Sequence, residues 1–104
     1  MREVRIGICG LGTVGSGTFN LIENNRAEIA RKTGCQLVVS HVGCRRDHPD
    51  CDLSGTKVSR DIFDVVRDPN VDIVLELIGG TDTAQELVSE ALANGKHVVT
   101  ANKA

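Results

Sequence analysis

Residues 4–15 read VRIGICGLGTVG, and the order of patterns within this stretch decides the fold. The first six residues are rich in β-branched side chains and predict a short strand that ends before Gly10. The next six have the spacing G-x-G-x-x-G, and a helical pattern begins at Thr13. In such a turn Gly10 reverses the chain, Gly12 lets a pyrophosphate approach the backbone, and Gly15 lets the helix pack closely on the strand. The stretch therefore predicts a dinucleotide-binding turn, with a plain glycine turn as the alternative.

Strand and helix patterns continue to alternate along the rest of the chain. This alternation predicts a doubly wound α/β fold with a parallel sheet and strand order 3-2-1-4-5. The predicted strands are residues 4–9, 37–42, 57–59, 73–78 and 97–100, and the predicted helices are residues 13–32, 61–67 and a third that begins at Thr81 or Asp82. We expect the first helix to bury Val14, Thr18, Leu21, Ile22 and Ile29, and the last to bury Ala84, Leu87, Val88, Ala91 and Leu92.

Composition excludes several classes of protein. The 104 residues are 40% hydrophobic and 25% charged, which is typical of one globular domain. No apolar run is long enough for a membrane span, and no secretory signal is present. Aromatic residues make up 2%, too few for a nucleic-acid stacking platform. Residues 1–60 hold nine basic and six acidic side chains, so this half suits a phosphate-bearing ligand.

The four cysteines, at positions 9, 35, 44 and 51, form no Cys-x-x-Cys pair. With no export signal, they predict reduced thiols in a cytoplasmic protein. Together with His41 and His48, Cys44 and Cys51 carry zinc-ligand chemistry, but the spacing lacks the paired-ligand knuckle. We therefore expect no metal. Instead, His41 and Cys44 are expected to end a strand with their side chains on opposite faces.

Charged residues after the second strand bear on the choice of cofactor. The strand runs into Arg45, Arg46 and Asp47, and arginine at this position suits the 2′-phosphate of NADP. Lys57 offers a second cation for the same end of the cofactor. Asp47 keeps NAD as the alternative, because an acid there binds the ribose hydroxyls. A solvated charged loop is the other interpretation.

Residues at the ends of the last two strands predict the nicotinamide side of the site. Gly79 and Gly80 end the fourth strand across the switch point from the glycine loop, and they allow close approach of a ribose. Glu76 within the apolar strand requires partners or an exposed position, and both remain open. Thr100, at the end of the fifth strand, is a predicted cofactor contact. Lys103 follows it at the same edge of the sheet, and a lysine there can exchange a proton with a substrate oxygen. A solvated terminal lysine is the alternative.

Several segments together resemble the amino-terminal nucleotide-binding domain of the homoserine dehydrogenase family. They are GLGTVG at 10–15, ELIGG at 76–80, the helix containing Ala91 and Leu92, and GKHVVTANKA at 95–104. The resemblance implies a Rossmann-type fold and interconversion of L-homoserine and L-aspartate 4-semialdehyde with NADP(H) or NAD(H), in threonine, isoleucine and methionine synthesis. It also implies that Leu11, Thr13 and Val14 contact the cofactor, that Arg45 or Arg46 and Lys57 lie near the adenosine phosphate, and that Lys103 is the proton-transfer residue.

The resemblance covers residues 1–104 as a single NAD(P)-binding domain. We expect the family's substrate-binding and dimerisation region to be absent from these residues, so that the isolated chain is inactive. In the full-length enzyme we expect a small-molecule substrate, no nucleic-acid or membrane partner, and a homo-oligomer. Two alternatives remain open: another Rossmann oxidoreductase acting on an amino acid, and a stand-alone nucleotide-binding module without catalysis.

Overall fold

The structure is a computed structural model that describes residues 2–79 and 82–100. Its elements in chain order are β1 (Arg2–Cys9), α1 (Thr13–Asn24), α2 (Arg26–Thr33), β2 (Cys35–Gly43), β3 (Lys57–Ser59), α3 (Phe63–Arg67), β4 (Ile73–Glu76), α4 (Asp82–Ala93) and β5 (His97–Thr100). The strands form one parallel sheet in the order β3-β2-β1-β4-β5, which confirms the predicted topology. The strands β2 and β3 therefore lie on one side of β1, and β4 and β5 lie on the other. The strand order reverses between β1 and β4.

Helices cover both faces of the sheet. Ile6 and Ile8 of β1 pack with Phe19 and Ile22 of α1 in one buried cluster. The alternate position Cys9 belongs to a second cluster, together with residues of α3, β4 and α4. Because successive side chains of a strand point to opposite faces, the two clusters lie on opposite sides of the sheet. The predicted doubly wound α/β class is confirmed.

The long helix predicted for residues 13–32 is wrong, because the chain forms two helices that meet at Asn25. The backbone of Asn25 leaves the helical region at φ −120° and ψ 20°. Its side-chain Nδ2 donates a hydrogen bond to the carbonyl oxygen of Leu21 at 2.7 Å. Asparagine competes in this way with the backbone hydrogen bonds of a helix, and here Asn24 and Asn25 stand in succession. The spacing of the hydrophobic residues does not reveal such a break in the helix.

The predicted core face of the first helix is also wrong in part. In α1 the buried residues are Gly15, Phe19 and Ile22. Val14 and Leu21 are 57% and 63% exposed, although both were expected inside. The two sets have the same helical spacing and differ by one residue, so periodicity alone cannot choose between them. In α4 the prediction holds for Ala84, Leu87 and Ala91, which are buried, whereas Leu92 is 58% exposed.

A buried polar network joins His41 of β2 to Ser59 of β3 and to residues that precede β4 and β5. His41 is fully buried, and its Nδ1 and Nε2 lie 2.8 Å from Asp68 Oδ2 and 2.7 Å from Ser59 Oγ. Lys96, 8% exposed, donates through Nζ to the carbonyl oxygens of Asp68 and Val71 at 2.5 and 2.8 Å. Each of these polar groups has a partner, as buried polar groups require. His41 thus serves packing, and no group of three metal-ligating side chains comes together within residues 2–79 and 82–100.

Candidate functional site

The glycine loop joins β1 to α1 and has three distinct geometries at its three glycines. Gly10 has φ +98°, a conformation that side chains other than glycine rarely adopt, so the tight turn predicted there is confirmed. A Cβ on Gly15 would lie 1.9 Å from the carbonyl oxygen of Gly10, so the helix can approach the strand only without one. A Cβ on Gly12 would meet nothing within 4 Å. The loop therefore packs tightly at its first and third glycines and leaves open space at the second.

The amino end of α1 faces this open space. Gly12 is the capping residue, no side chain caps the helix, and its first turn contains no acidic residue. The first N–H groups of an α-helix have no acceptor within the helix, and the helix dipole places partial positive charge beside them. Thr13 and Val14, both exposed, begin the helix at this point. The loop and helix together form a site for an anionic group.

A cleft of about 410 Å³ opens beyond the carboxyl ends of β1, β2 and β4. It lies where the strand order reverses, which is the place where open α/β sheets bind ligands. Six of the residues predicted for the cofactor site line it together: Gly10, Leu11, Gly12, Arg45, Arg46 and Gly79. The predicted residues Thr13, Val14, Gly15, Lys57 and Thr100 are outside its lining, and the lining also contains His48, Ile62, Ile78 and Thr83, which were not predicted for the cofactor site.

Two arginines form the cationic end of the cleft. Arg45 and Arg46 are exposed, and neither has a hydrogen bond or ion pair to any residue that the structure describes. Lys57 has a different position, because it begins β3 opposite His41 and is exposed there. The geometry thus brings the two arginines to the cleft and does not bring Lys57 to its lining.

Arg60 is a third cation at this end, and the sequence analysis missed it. It directly follows β3, and its Nη1 lies 3.5 Å from the carbonyl oxygen and 3.8 Å from the Sγ of Cys44, a residue of the cleft. A usable signal was present in the sequence. Ligands lie beyond the carboxyl ends of parallel strands, and Arg60 is the first residue beyond the end of the predicted strand 57–59.

Glu76 links the carboxyl ends of β4 and β5. Glu76 is only 1% exposed, so the interpretation that its carboxylate requires hydrogen-bond partners is confirmed. Oε2 accepts a hydrogen bond from the backbone N–H of Ile78 at 2.9 Å. Oε1 accepts a short hydrogen bond from the hydroxyl of Thr100. The carboxylate thereby holds together the two strand ends that border the Gly79 side of the cleft.

Cys9 ends β1 directly beneath the glycine loop. Burial, and secondarily the charge of Glu76, raises the pKa of its thiol to about 12. A thiol with that pKa stays protonated near neutral pH, and the thiolate is the nucleophilic form. Cys9 therefore serves packing and not catalysis, and the glycine loop above it is suited to binding a ligand.

Two predicted site residues, Gly80 and Lys103, lie outside the described residues. Apart from Lys57, the other predicted positions surround or adjoin one cleft, with a glycine loop on one wall, arginines at one end and the Glu76-linked strand ends at the other. A doubly wound parallel sheet with this site at its point of reversal defines the Rossmann class of nucleotide-binding domains.

Comparison with known proteins identifies the family. The profile of the family described as homoserine dehydrogenase, NAD binding domain, matches residues 10–104. A homoserine dehydrogenase of Pseudomonas aeruginosa is 56% identical over the whole chain, which covers 24% of that protein. The crystal structure of a homoserine dehydrogenase from Thiobacillus denitrificans superposes with a TM-score of 0.88 and 47% identity over 99% of this chain and 24% of its own. A Staphylococcus aureus homoserine dehydrogenase crystallised at pH 8.5 also gives 0.88, with 35% identity over 99% of this chain and 26% of its own.

The chain belongs to the family of homoserine dehydrogenase NAD-binding domains. This confirms the resemblance seen in the sequence. A family of NAD-binding domains indicates a nicotinamide dinucleotide as the cofactor. The chain spans about a quarter of the length of the curated relatives it matches.

Proposed function

We propose that this chain is the part of a homoserine dehydrogenase that holds the nicotinamide cofactor during the interconversion of L-homoserine and L-aspartate 4-semialdehyde. The observation that carries the proposal is the open space at Gly12. It lies between a tightly packed turn and an uncapped helix end, in a chain whose relatives bear the name of this enzyme. A pyrophosphate requires a backbone without a Cβ beside free N–H groups, and this loop offers both.

Each part of the cleft has a task in this proposal. The amino end of α1 binds the diphosphate, with Leu11, Thr13 and Val14 beside it. When bound, the nicotinamide ring supplies or accepts the hydride. Glu76 orients the ends of β4 and β5, between which the nicotinamide ribose approaches Gly79 and Gly80. Lys103, three residues after Thr100, donates a proton to the aldehyde oxygen in reduction and accepts it in oxidation.

We propose NADP(H) as the preferred form of the cofactor. Arg45 and Arg46 line the cationic end of the cleft and have no partner within the described residues. A guanidinium matches the 2′-phosphate in charge and in its forked geometry. Lys57 stays a weaker candidate for the same phosphate, because it is not among the residues that line the cleft.

We further propose that residues 1–104 form one NAD(P)-binding domain that binds nucleotide without turning over homoserine. Hydride transfer requires the substrate carbon to be held about 3–3.5 Å from the nicotinamide, and we expect the substrate-binding region of the family to be absent from these residues. The full-length enzyme is proposed to be a cytoplasmic homo-oligomer. The four cysteines are free thiols, as a reducing compartment maintains them. No helix among the described residues is long and apolar enough to cross a membrane.

Gly12→Val tests whether the glycine loop binds the cofactor. The branched side chain would enter the open space that a pyrophosphate needs, so we expect NADPH affinity to fall more than tenfold, which corresponds to at least about 1.4 kcal/mol. Gly17→Val is the matched control, because a Cβ on Gly17 also meets nothing within 4 Å, one and a half turns further along α1. Isothermal titration calorimetry measures the affinity, and thermal unfolding checks that both variants fold. Equal NADPH binding by the Gly12→Val variant and the wild type would remove the cofactor from this loop.

Replacing Arg45 and Arg46 together by alanine tests the preference for the 2′-phosphate. A charge-assisted hydrogen bond contributes about 1.5–3 kcal/mol, so we expect NADPH affinity to fall at least tenfold and NADH affinity to change little. The control replaces Arg31 and Lys32, two exposed cations of α2, by alanine and removes the same charge. The NADP(H) preference is wrong if the double variant loses affinity for both nucleotides to the same extent.

A further inference from the structure

Arg60 is held at the cationic end of the cleft by the start of the loop that carries the two arginines. The backbone N–H of Cys44 donates to the carbonyl oxygen of Ser59 at 3.0 Å, which fixes the chain on either side. Arg60 then reaches back to Cys44 through Nη1. Its guanidinium therefore lies against a residue of the cleft, and its second nitrogen, Nη2, remains available for another acceptor.

That acceptor is Asp47. Arg60 Nη2 donates a short hydrogen bond to Asp47 Oδ1. The pair lies at the surface, with the Asp47 side chain 89% exposed and the Arg60 side chain 55% exposed. Exposed ion pairs are weak and exchange readily, because water screens the charges and both side chains lose conformational freedom in the pair. A stronger anion that arrives at this place can therefore take the guanidinium.

A 2′-phosphate is such an anion. It carries a charge of nearly −2 and three acceptor oxygens, whereas the carboxylate carries −1 and two oxygens. Asp47 is the next residue after Arg45 and Arg46, so the carboxylate lies in the same loop as the arginines proposed to bind that phosphate. We propose that Asp47 competes with the 2′-phosphate of NADP(H) for Arg60, and that this competition sets how strongly the cleft prefers NADP(H) over NAD(H).

This inference rests on the proposed function, and it adds two specificity residues to it. With NADP(H), Arg60 leaves Asp47 and donates to the phosphate, while the carboxylate turns to solvent. With NAD(H), no phosphate arrives and the Asp47–Arg60 pair persists. Asp47 thus lowers the affinity for NADP(H) selectively, and Arg60 raises it selectively.

The test is a double-mutant cycle on nucleotide affinity, measured by calorimetry with NADPH and NADH. Asp47→Asn is expected to tighten NADPH binding roughly two- to fivefold, the scale of an exposed ion pair. Arg60→Ala is expected to weaken NADPH binding about tenfold, and both variants should leave NADH binding within about twofold. In the Arg60→Ala background, Asp47→Asn should gain little, because no guanidinium remains to be released.

The control is Asp50→Asn, which removes one negative charge from an exposed residue of the same loop whose side chain makes no hydrogen bond or ion pair with Arg60. It should change NADPH affinity less than Asp47→Asn. An equal gain from Asp47→Asn with and without Arg60 overturns the competition and indicates simple charge repulsion. Unchanged selectivity in all variants overturns it as well. If the wild-type chain binds neither nucleotide, the proposed function fails first, so the two failures are distinct.

Discussion

A homoserine dehydrogenase that carries this sequence is expected to lose turnover by roughly 10²–10⁴ when Lys103 is replaced by alanine, the usual contribution of a proton-transfer residue. The reason lies in the end of β5. Glu76 fixes Thr100 at the border of the cleft through their hydrogen bond, and the proposed lysine follows three residues later. Without an amine there, the alkoxide formed by hydride transfer gains no proton from the protein. NADPH affinity should remain nearly unchanged, because binding relies on the glycine loop and the arginines.

Steady-state kinetics in both directions, together with calorimetry for NADPH, measures this outcome. Lys32→Ala is the control, because it removes an exposed lysine from α2, whose residues are absent from the lining of the cleft. A near-normal rate in the Lys103→Ala enzyme would falsify the role of this residue. A loss of NADPH binding equal to the loss of rate would instead make Lys103 a binding residue.

Gly15→Ala is expected to destabilise the fold by about 3 kcal/mol or more, beyond the usual cost of overpacking, because the added Cβ would lie 1.9 Å from the carbonyl oxygen of Gly10. Backbone atoms of a tight turn cannot move aside as a flexible side chain can. For a domain of this size, that loss corresponds to a fall in melting temperature of about 12 °C or more.

Gly12→Ala supplies the comparison, since the same methyl group there meets nothing within 4 Å. We expect its stability to stay within about 0.5 kcal/mol of the wild type, as for an exposed substitution. Differential scanning calorimetry on both variants measures the contrast. Equal melting temperatures would show that the helix can shift away from the strand, and the close packing inferred at Gly15 would be wrong.

Much of the fold could be predicted because strand patterns and glycine turns depend on residues that are close together in the sequence. The run of apolar residues at 73–78 predicts a strand, of which the structure forms Ile73–Glu76, and the three-residue strand β3 was found at its predicted position. The break at Asn25 and the buried face of α1 could not be predicted from periodicity. A stripe through Phe19 and a stripe through Leu21 have equal spacing, and only the close approach at Gly15 selects the first.

For the site, the sequence predicted which residue types surround the cleft but missed contacts between distant segments. Arg45 and Arg46 follow directly from the end of the second strand, so the order of the chain predicts them. Arg60 reaches the cleft because β3 lies beside β2, which brings its end next to Cys44. The hydrogen bond between Glu76 and Thr100 likewise depends on the pairing of β4 with β5. These contacts depend on the register between neighbouring strands, which the predicted strand order alone does not give.

The buried network of His41, Asp68 and Lys96 has a consequence for the evolvability of the domain. Asp68 and Lys96 precede β4 and β5, and His41 connects this network to Ser59, whereas the proposed nucleotide-reading residues Arg45 and Arg60 are exposed beyond the carboxyl ends of β2 and β3. Selection can therefore exchange the exposed residues while the buried network preserves the scaffold. If the proposed residues read the nucleotide, a change of cofactor preference involves exposed positions, and substitutions at such positions seldom endanger a protein's stability.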